Sequence, residues 1–250
     1  MCGKPHTVKN HKGDEKMAMK LIATIVVLAI IVVAAFGAWN YTTSMAQQGR
    51  FVVTLADAAT DLNGVSQINV TIDSVRAQND ANGWVTLSST QRTIDLLQLR
   101  AEGNQVVIAD LNVPAGTYNQ IELNISKVIV VDAQGSHEAK LPSGKIRMNM
   151  NTDLNKGSTN TIRIDVLADE SLHITGNGLY ILAPVIHLQT RENVQVNIDS
   201  EMHATINGGQ LKDDTEVGMD EEGRVGVGVK IPENADVSIG NDNKIHVGLN

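Results

Sequence analysis

Cysteine and aromatic residues are scarce in this chain, and each scarcity excludes a class of protein. Cys2 is the only cysteine among 250 residues, so a disulfide-stapled scaffold is excluded. Aromatic residues make up 3% of the chain, and those that follow residue 41 are Phe51, Trp84, Tyr118 and Tyr180. A sugar-binding face generally needs a platform of stacked rings, so the scarcity of rings counts against one.

Positive charge is also scarce after residue 46. There, 15 Lys and Arg residues stand against 26 Asp and Glu residues, which gives a net charge of −11. Such a surface repels phosphate backbones and anionic lipid headgroups. We therefore expect no nucleic-acid partner for this part of the chain.

One long apolar run is present, and it predicts a membrane anchor. Leu21–Trp39 contains no charged residue, and as a helix it would measure about 28 Å, close to the thickness of a bilayer core. Five lysines precede the run, and the first cation after it is Arg50. The positive-inside rule then predicts a single-pass protein of the cell membrane, with a cytoplasmic leader at 1–20, a signal-anchor helix at 21–39 and a stalk at 40–50. The rest of the chain would be extracytoplasmic.

Cleavage of this segment is the alternative. Ser44-Met45-Ala46 satisfies the small-x-small rule of signal peptidase sites, and a cut after Ala46 would release a secreted protein. The apolar region of a signal peptide is usually about 7–15 residues long. The longer run in this chain favours a retained anchor.

Short β-branched runs separated by turn residues follow the stalk, and they predict an all-β fold. In Ile68–Asp73 apolar and polar residues alternate, as they do in a strand with one buried face. The region Ile94–Arg100 is the one helix candidate after the stalk, with room for a turn or two. The predicted strands are Phe51–Leu55, Gln67–Val75, Trp84–Leu87, Thr93–Leu97, Val106–Ile108, Gln120–Val131, Lys145–Met150, Thr161–Val166 and Leu179–Leu188.

A small β-rich extension is predicted at 191–250, where glycine and acidic residues become more frequent. Six acidic residues within Asp213–Glu222 suggest a hinge between its halves. Val225–Val229 alternates valine with glycine, which leaves one face of a strand without side chains. One interpretation is a hairpin packed against the main domain. The other is an edge strand that mediates self-association by strand addition.

Seven sequence blocks between Phe51 and Thr190 carry a resemblance to a known family. The chain resembles the family catalogued as domain of unknown function 4382, found in exported proteins of bacteria and archaea. The resemblance implies an immunoglobulin-like or transthyretin-like β-sandwich over 51–190, and it implies no activity, catalytic residue or cofactor. The blocks are Thr54–Ala58, Val70–Val75, Gly83–Leu87, Arg92–Leu99, Pro114–Ile121, Leu141–Gly144 and Gly176–Ile186.

Two aromatic residues in these blocks have predicted structural roles. Tyr118 follows the turn Pro114–Gly116, and a tyrosine that hydrogen-bonds back across such a corner is common in β-sandwiches. Trp84 follows Asn82-Gly83 and is expected to cap one end of the core; the alternative is a ring that binds a ligand.

Candidate catalytic and metal-binding residues form no recognisable motif. The five histidines after the stalk show no metal-ligand spacing, and they are expected on solvated strand faces: His137, His173, His187, His203 and His246. Calcium is the one cofactor for which oxygen donors are present, at 79–83, 132–135 and 213–222, but none of these segments has full loop spacing. We therefore predict no catalytic residue, no metal ligand and no dedicated cofactor.

Three Asn-x-Ser/Thr sequons offer glycosylation sites at Asn40, Asn69 and Asn124. Asn69 and Asn124 alternate with apolar neighbours and should point outward. The whole pattern predicts a non-enzymatic, membrane-anchored β-sandwich with a structural, adhesive or cell-surface interaction role. The alternative is a ligand- or glycan-binding or sensory ectodomain, which would need a concave pocket with converging polar groups.

Overall fold

The chain divides into two compact units, Met1–Ala46 and Gln47–Asn250. The structure, a computed structural model, describes residues 25–34, 47–57, 62, 64–232 and 235–248. In the first unit residues 25–34 form a helix, α1. Among the described residues, no helix combines the length and apolar character needed to cross a bilayer. The other residues of the predicted anchor at 21–39, together with Asn40 and Ala46, lie outside the described residues.

The second unit is built mainly from strands, which confirms the all-β prediction. Its first eight strands are β1 (Gln48–Asp57), β2 (Val65–Asn79), β3 (Gly83–Ser88), β4 (Arg92–Asp95), β5 (Val106–Pro114), β6 (Gly116–Asp132), β7 (Gly135–Glu138) and β8 (Lys145–Leu154). The later strands are β9 (Thr159–Val166), β10 (Leu172–Ile174), β11 (Tyr180–Leu182), β12 (Val185–Ile198), β13 (Ala204–Met219), β14 (Val225–Gly226), β15 (Asp236–Ile239) and β16 (Ile245–Gly248). Two short helices interrupt them, α2 (Leu96–Glu102) and α3 (Ala168–Ser171).

Two six-stranded sheets and two small hairpins are formed by these strands. The first sheet has the order β14-β13-β12-β9-β1-β5, and β1 and β9 are its parallel pair. The second sheet is centred on the long antiparallel pair β2 and β6. Strands β3 and β4 share the outer edge of β2, while β7 and β8 share that of β6.

The core lies between the two large sheets. Phe51 of β1 meets Tyr118 of β6 edge to face, with ring centroids 4.8 Å apart. The Tyr118 hydroxyl donates to the Pro114 carbonyl at 2.8 Å, which confirms the predicted corner. Burial raises the pKa of Tyr118, so this hydroxyl keeps its proton. The bond satisfies both polar groups and ties the end of β5, in the first sheet, to the start of β6, in the second.

A helix follows β4 where a strand was partly predicted. Asp95 caps α2, because its carboxylate accepts from the Leu97 amide at 3.1 Å. Gly103 ends the helix in the left-handed conformation, at φ 62°. The helical turns expected at 94–100 are therefore confirmed, and the strand predicted over Thr93–Leu97 ends at Asp95.

The extension predicted at 191–250 is continuous with the first sheet. The boundary expected at residue 190 falls inside β12, which pairs with β9 on one side and β13 on the other. The predicted acidic hinge is wrong for its first part, because 213–219 belong to β13. The strand expected over the Val/Gly run is only the two-residue β14, paired with Gly218 and Met219.

Candidate functional site

The pair β12 and β13 bends away from the first sheet and folds back over it. Asn193, Gly208 and Gly209 adopt positive φ values of 56°, 69° and 76°. A Cβ on Gly209 would lie 2.7 Å from the Glu192 carbonyl oxygen and also meet the Val194 side chain. Only glycine fits there. We call residues 194–208 the fold-back hairpin.

The tip of the fold-back hairpin is attached to the outer face of the sheet. Val52 and Val107 point away from the main core and form a separate buried cluster with Ala204 of the hairpin. The Val107 amide donates to the Met202 carbonyl at 2.8 Å, and the Ala204 amide donates to the Gln105 carbonyl at 3.0 Å. The hairpin therefore covers a face that would otherwise be open to solvent.

A polar cavity of about 260 Å³ lies between the hairpin and the sheet. We call it the hairpin cavity. Strand register places Arg163 opposite Gln189 and Arg191 opposite Thr161, so these four side chains share the outer face. The lining residues are Gln105, Thr161, Arg163, Gln189 and Arg191 from the sheet side, with Ile206 and Gly208 from the hairpin.

The two arginines of the hairpin cavity differ in their partners. Arg163 Nη2 donates to the Asp165 carboxylate at 2.6 Å, yet its Nε is buried without a hydrogen-bond partner. Asp165 is 4% exposed, and burial raises the pKa of its carboxyl against the lowering effects of Arg163 and His187. The Arg191 guanidinium makes no hydrogen bond or ion pair within the described part of the chain.

The neutral groups of the cavity are mostly occupied. Gln105 accepts from the Thr54 hydroxyl at 2.9 Å and donates to the Ala204 carbonyl at 3.2 Å. Gln189 donates to Asp214 at 3.2 Å, and this bond is the main reason why the pKa of Asp214 is lowered; His187 and the charge of Arg191 lower it further. The free donors are therefore the guanidinium groups of Arg163 and Arg191, beside the hydroxyl of Thr161.

The histidines are mostly paired with carboxylates, and they do not converge. His137 contacts Asp132, and His203 lies within 3.7 Å of Glu102. His173 differs, because its Nε2 is buried with no hydrogen-bond partner among the described residues, and burial lowers its pKa. No group of three metal-ligating side chains occurs among the residues that the structure describes.

The three segments whose oxygens could bind calcium use those oxygens to accept hydrogen bonds from other groups of the protein. Asp132 accepts from the Tyr180 hydroxyl at 2.7 Å and from the amides of Gln134 and Gly135. The Asn79 side-chain oxygen accepts from two amides of its own turn. In 213–222, Asp213 accepts from the Asn151 amide, and Asp220 accepts from Arg224 at 2.6 Å.

Trp84 does not cap the core as predicted. Its ring lies 5.1 Å from the guanidinium carbon of Arg76 and 5.5 Å from that of Arg147. Both arginines pair with Glu122, a carboxylate that is 3% exposed. The ring and the two cations satisfy one another, which explains why this tryptophan stays half-exposed on a sheet.

The predicted glycosylation sites that the structure describes lie on two adjacent strands. Asn69 on β2 and Asn124 on β6 are half-buried, and each stands between two buried apolar neighbours. The arginines of the hairpin cavity were missed by sequence reasoning. The available signal was the pair of arginines in β-branched runs, but nothing local shows that a hairpin covers them.

Comparison with known proteins identifies the family. A family model described as Domain of unknown function (DUF4382) matches residues 48–184. No curated protein and no solved structure matches the chain. The matched range contains Gln105, Thr161 and Arg163 of the hairpin cavity, whereas Arg191 and the hairpin follow it. Because the match covers more than half of the chain, the protein belongs to the DUF4382 family.

Proposed function

We propose that this protein is a non-enzymatic binding domain that holds a small anion in the hairpin cavity. The observation that carries the proposal is a pair of guanidiniums with donors to spare: among the described residues, that of Arg191 has no hydrogen-bond or ion-pair partner, and the buried Nε of Arg163 has no acceptor. A buried donor without an acceptor costs about 1–3 kcal/mol. An anion that accepts from both arginines would remove this cost on binding.

Binding is favoured over catalysis by the kinds of side chain that line the cavity. The lining offers guanidiniums, amides and a hydroxyl, and it contains neither a carboxylate nor an imidazole. General acid–base chemistry needs a group that exchanges a proton near neutral pH. Guanidinium groups stay protonated there and act as fixed donors.

We extend the proposal to the setting of the domain. An extracytoplasmic position behind a retained anchor at 21–39 is supported by the uncharged run and the lysine-rich leader. An immunoglobulin-like or transthyretin-like fold type is supported by two sheets around one core and by the Tyr118 corner. Self-association through 191–250, and with it a structural or adhesive role, stays a prediction from the sequence.

Thermal unfolding of the full chain in detergent tests the binding function. We expect Tm to rise with sodium acetate at constant ionic strength, because a ligand at 100 times its Kd stabilises the folded state by about 2.7 kcal/mol. Arg191→Gln should abolish the rise, and its own stability should change little because the Arg191 guanidinium makes no hydrogen bond or ion pair with a described residue.

Lys156→Gln is the matched control, since it removes one positive charge from an exposed turn. It should keep the wild-type response. Equal Tm values with and without acetate, phosphate and sulfate would exclude anion binding. An equal response of the two variants would place the binding elsewhere.

A further inference from the structure

The charge of the hairpin cavity selects among anions. We propose that its ligand is a monocarboxylate with a short apolar tail, an inference that rests on the anion-binding function proposed above. Arg163 is already neutralised by Asp165 at 2.6 Å. Arg191 is then the lining cation without a contacting carboxylate among the described residues. One cation without a contacting carboxylate matches one negative charge, and Asp214, whose pKa the charge of Arg191 lowers, opposes a second negative charge nearby.

The net charge of the whole domain also favours a singly charged ligand. Residues 47–250 carry a net charge of −11, so bringing an anion to the surface is opposed in proportion to the anion's charge. A dianion such as phosphate or sulfate is repelled about twice as strongly, and one cation without a contacting carboxylate is present to attract it. A monocarboxylate meets about half of this repulsion.

The head-group donors suit a carboxylate. Arg191 and Arg163 are diagonal neighbours across the β9–β12 pair, positions that lie about 7–8 Å apart in a sheet. Both guanidiniums can therefore reach one planar anion between them. A guanidinium presents two parallel donors that match the two oxygens of a carboxylate. Arg163 Nε and the Thr161 hydroxyl can take the remaining lone pairs.

The hairpin side of the cavity suits an apolar tail. Ile206 contributes an aliphatic side chain, and Gly208 contributes none, so the lining residues on the hairpin side carry no charge. The volume of about 260 Å³ corresponds to about nine water molecules. A ligand of about six to eight non-hydrogen atoms would occupy most of that space. Acetate would leave much of it to water, whereas butyrate would contact Ile206.

Calorimetric titration of the detergent-solubilised full chain with acetate, butyrate, phosphate and sulfate, at one ionic strength, tests this inference. Each buried CH₂ is worth about a fourfold change in Kd, so butyrate, with two more CH₂ groups, should bind about fifteenfold more tightly than acetate. Both carboxylates should bind more tightly than either inorganic anion. Ile206→Ala should reduce the advantage of butyrate over acetate.

Val227→Ala is the matched control, because Val227 is 73% exposed and lies outside the hairpin cavity. It should preserve the preference for butyrate. If phosphate or sulfate binds more tightly than butyrate, the carboxylate assignment is wrong while anion binding stands. If butyrate shows no advantage over acetate, the apolar tail is wrong. If no anion binds, both this inference and the proposed function fail.

Discussion

The two faces of the first sheet are both covered, and they are covered in opposite ways. The inner face packs against the second sheet and leaves an apolar cavity of only about 20 Å³. The outer face is covered by the fold-back hairpin and keeps a polar cavity of about 260 Å³. Apolar side chains close their gaps because every lost contact costs dispersion energy. Two guanidiniums and their solvation prevent the same closure on the outer face.

This comparison explains the burial of β1. All residues from Phe51 to Asp57 are buried, although alternate residues of a strand point to opposite faces. Phe51 belongs to the main core, and Val52 belongs to the cluster under the hairpin tip. Truncations on the two faces should therefore differ in their cost.

The largest expected effect is that of Phe51→Ala on the inner face. It removes the ring that packs on Tyr118 and should reduce the free energy of unfolding by about 3–5 kcal/mol. Val52→Ala is the paired variant on the outer face, with an expected loss of about 1–2 kcal/mol. Urea unfolding followed by circular dichroism measures both. Equal losses would show that the two faces are packed alike.

The next largest effect is expected for Gly209→Ala, which should destabilise the fold-back hairpin and not the main core. Gly209→Ala places a Cβ against the Glu192 carbonyl and the Val194 side chain at φ 76°, which should cost about 1–3 kcal/mol locally. We expect hydrogen exchange of the Val107 amide, which bonds Met202, to accelerate by about ten- to a hundredfold. Amides of the main core should keep their protection.

Gly157→Ala is the control for the cost of placing alanine at a positive φ value. Its φ is 72°, but a Cβ there meets nothing within 4 Å, so it tests the left-handed conformation without the contact. It should leave the Val107 amide protected. Loss of protection throughout the sheet in Gly209→Ala would mean that hairpin and core unfold together.

The smallest expected effect is a loss of stability in acid, and it comes from His173, which lies outside the first sheet. Burial lowers the pKa of His173 in the folded state. As the pH falls through the unfolded value of about 6.5, the unfolded chain takes up a proton that the folded chain does not. Folded-state stability is therefore lost on acidification, by at most about 1.4 kcal/mol at pH 5.5.

His173→Gln and His173→Leu both remove this titration. Each should show a smaller loss of unfolding free energy between about pH 7.5 and 5.5 than the wild type. Denaturant titrations at the two pH values measure the difference. A wild-type decline in both variants would assign the acid sensitivity to other groups.

Local patterns were sufficient for much of the fold. The structure contains three elements that local patterns predicted: the strand β2 from its alternation, the corner at Tyr118 from the Pro114–Gly116 turn, and the helix after Asp95 from its apolar residues. These patterns suffice because strand period and turn chemistry act over a few residues. Trp84 was misplaced because its partners Arg76 and Arg147 come from other strands. The continuation of the first sheet beyond residue 190 was not predicted, because it depends on the pairing of β12 with both β9 and β13.

By itself, the sequence determined the β class, the charge of the domain, the corner at Tyr118 and the residues that can line a core, since these depend on composition and short-range periodicity. The tertiary structure alone decided that Arg163 and Arg191 share a cavity. Their proximity requires the β9–β12 register, and their enclosure requires the bend at Asn193, Gly208 and Gly209. A positive φ value and a long-range strand pairing produce no periodic pattern in a sequence. The site therefore exists only in the tertiary structure, where the hairpin folds over the sheet.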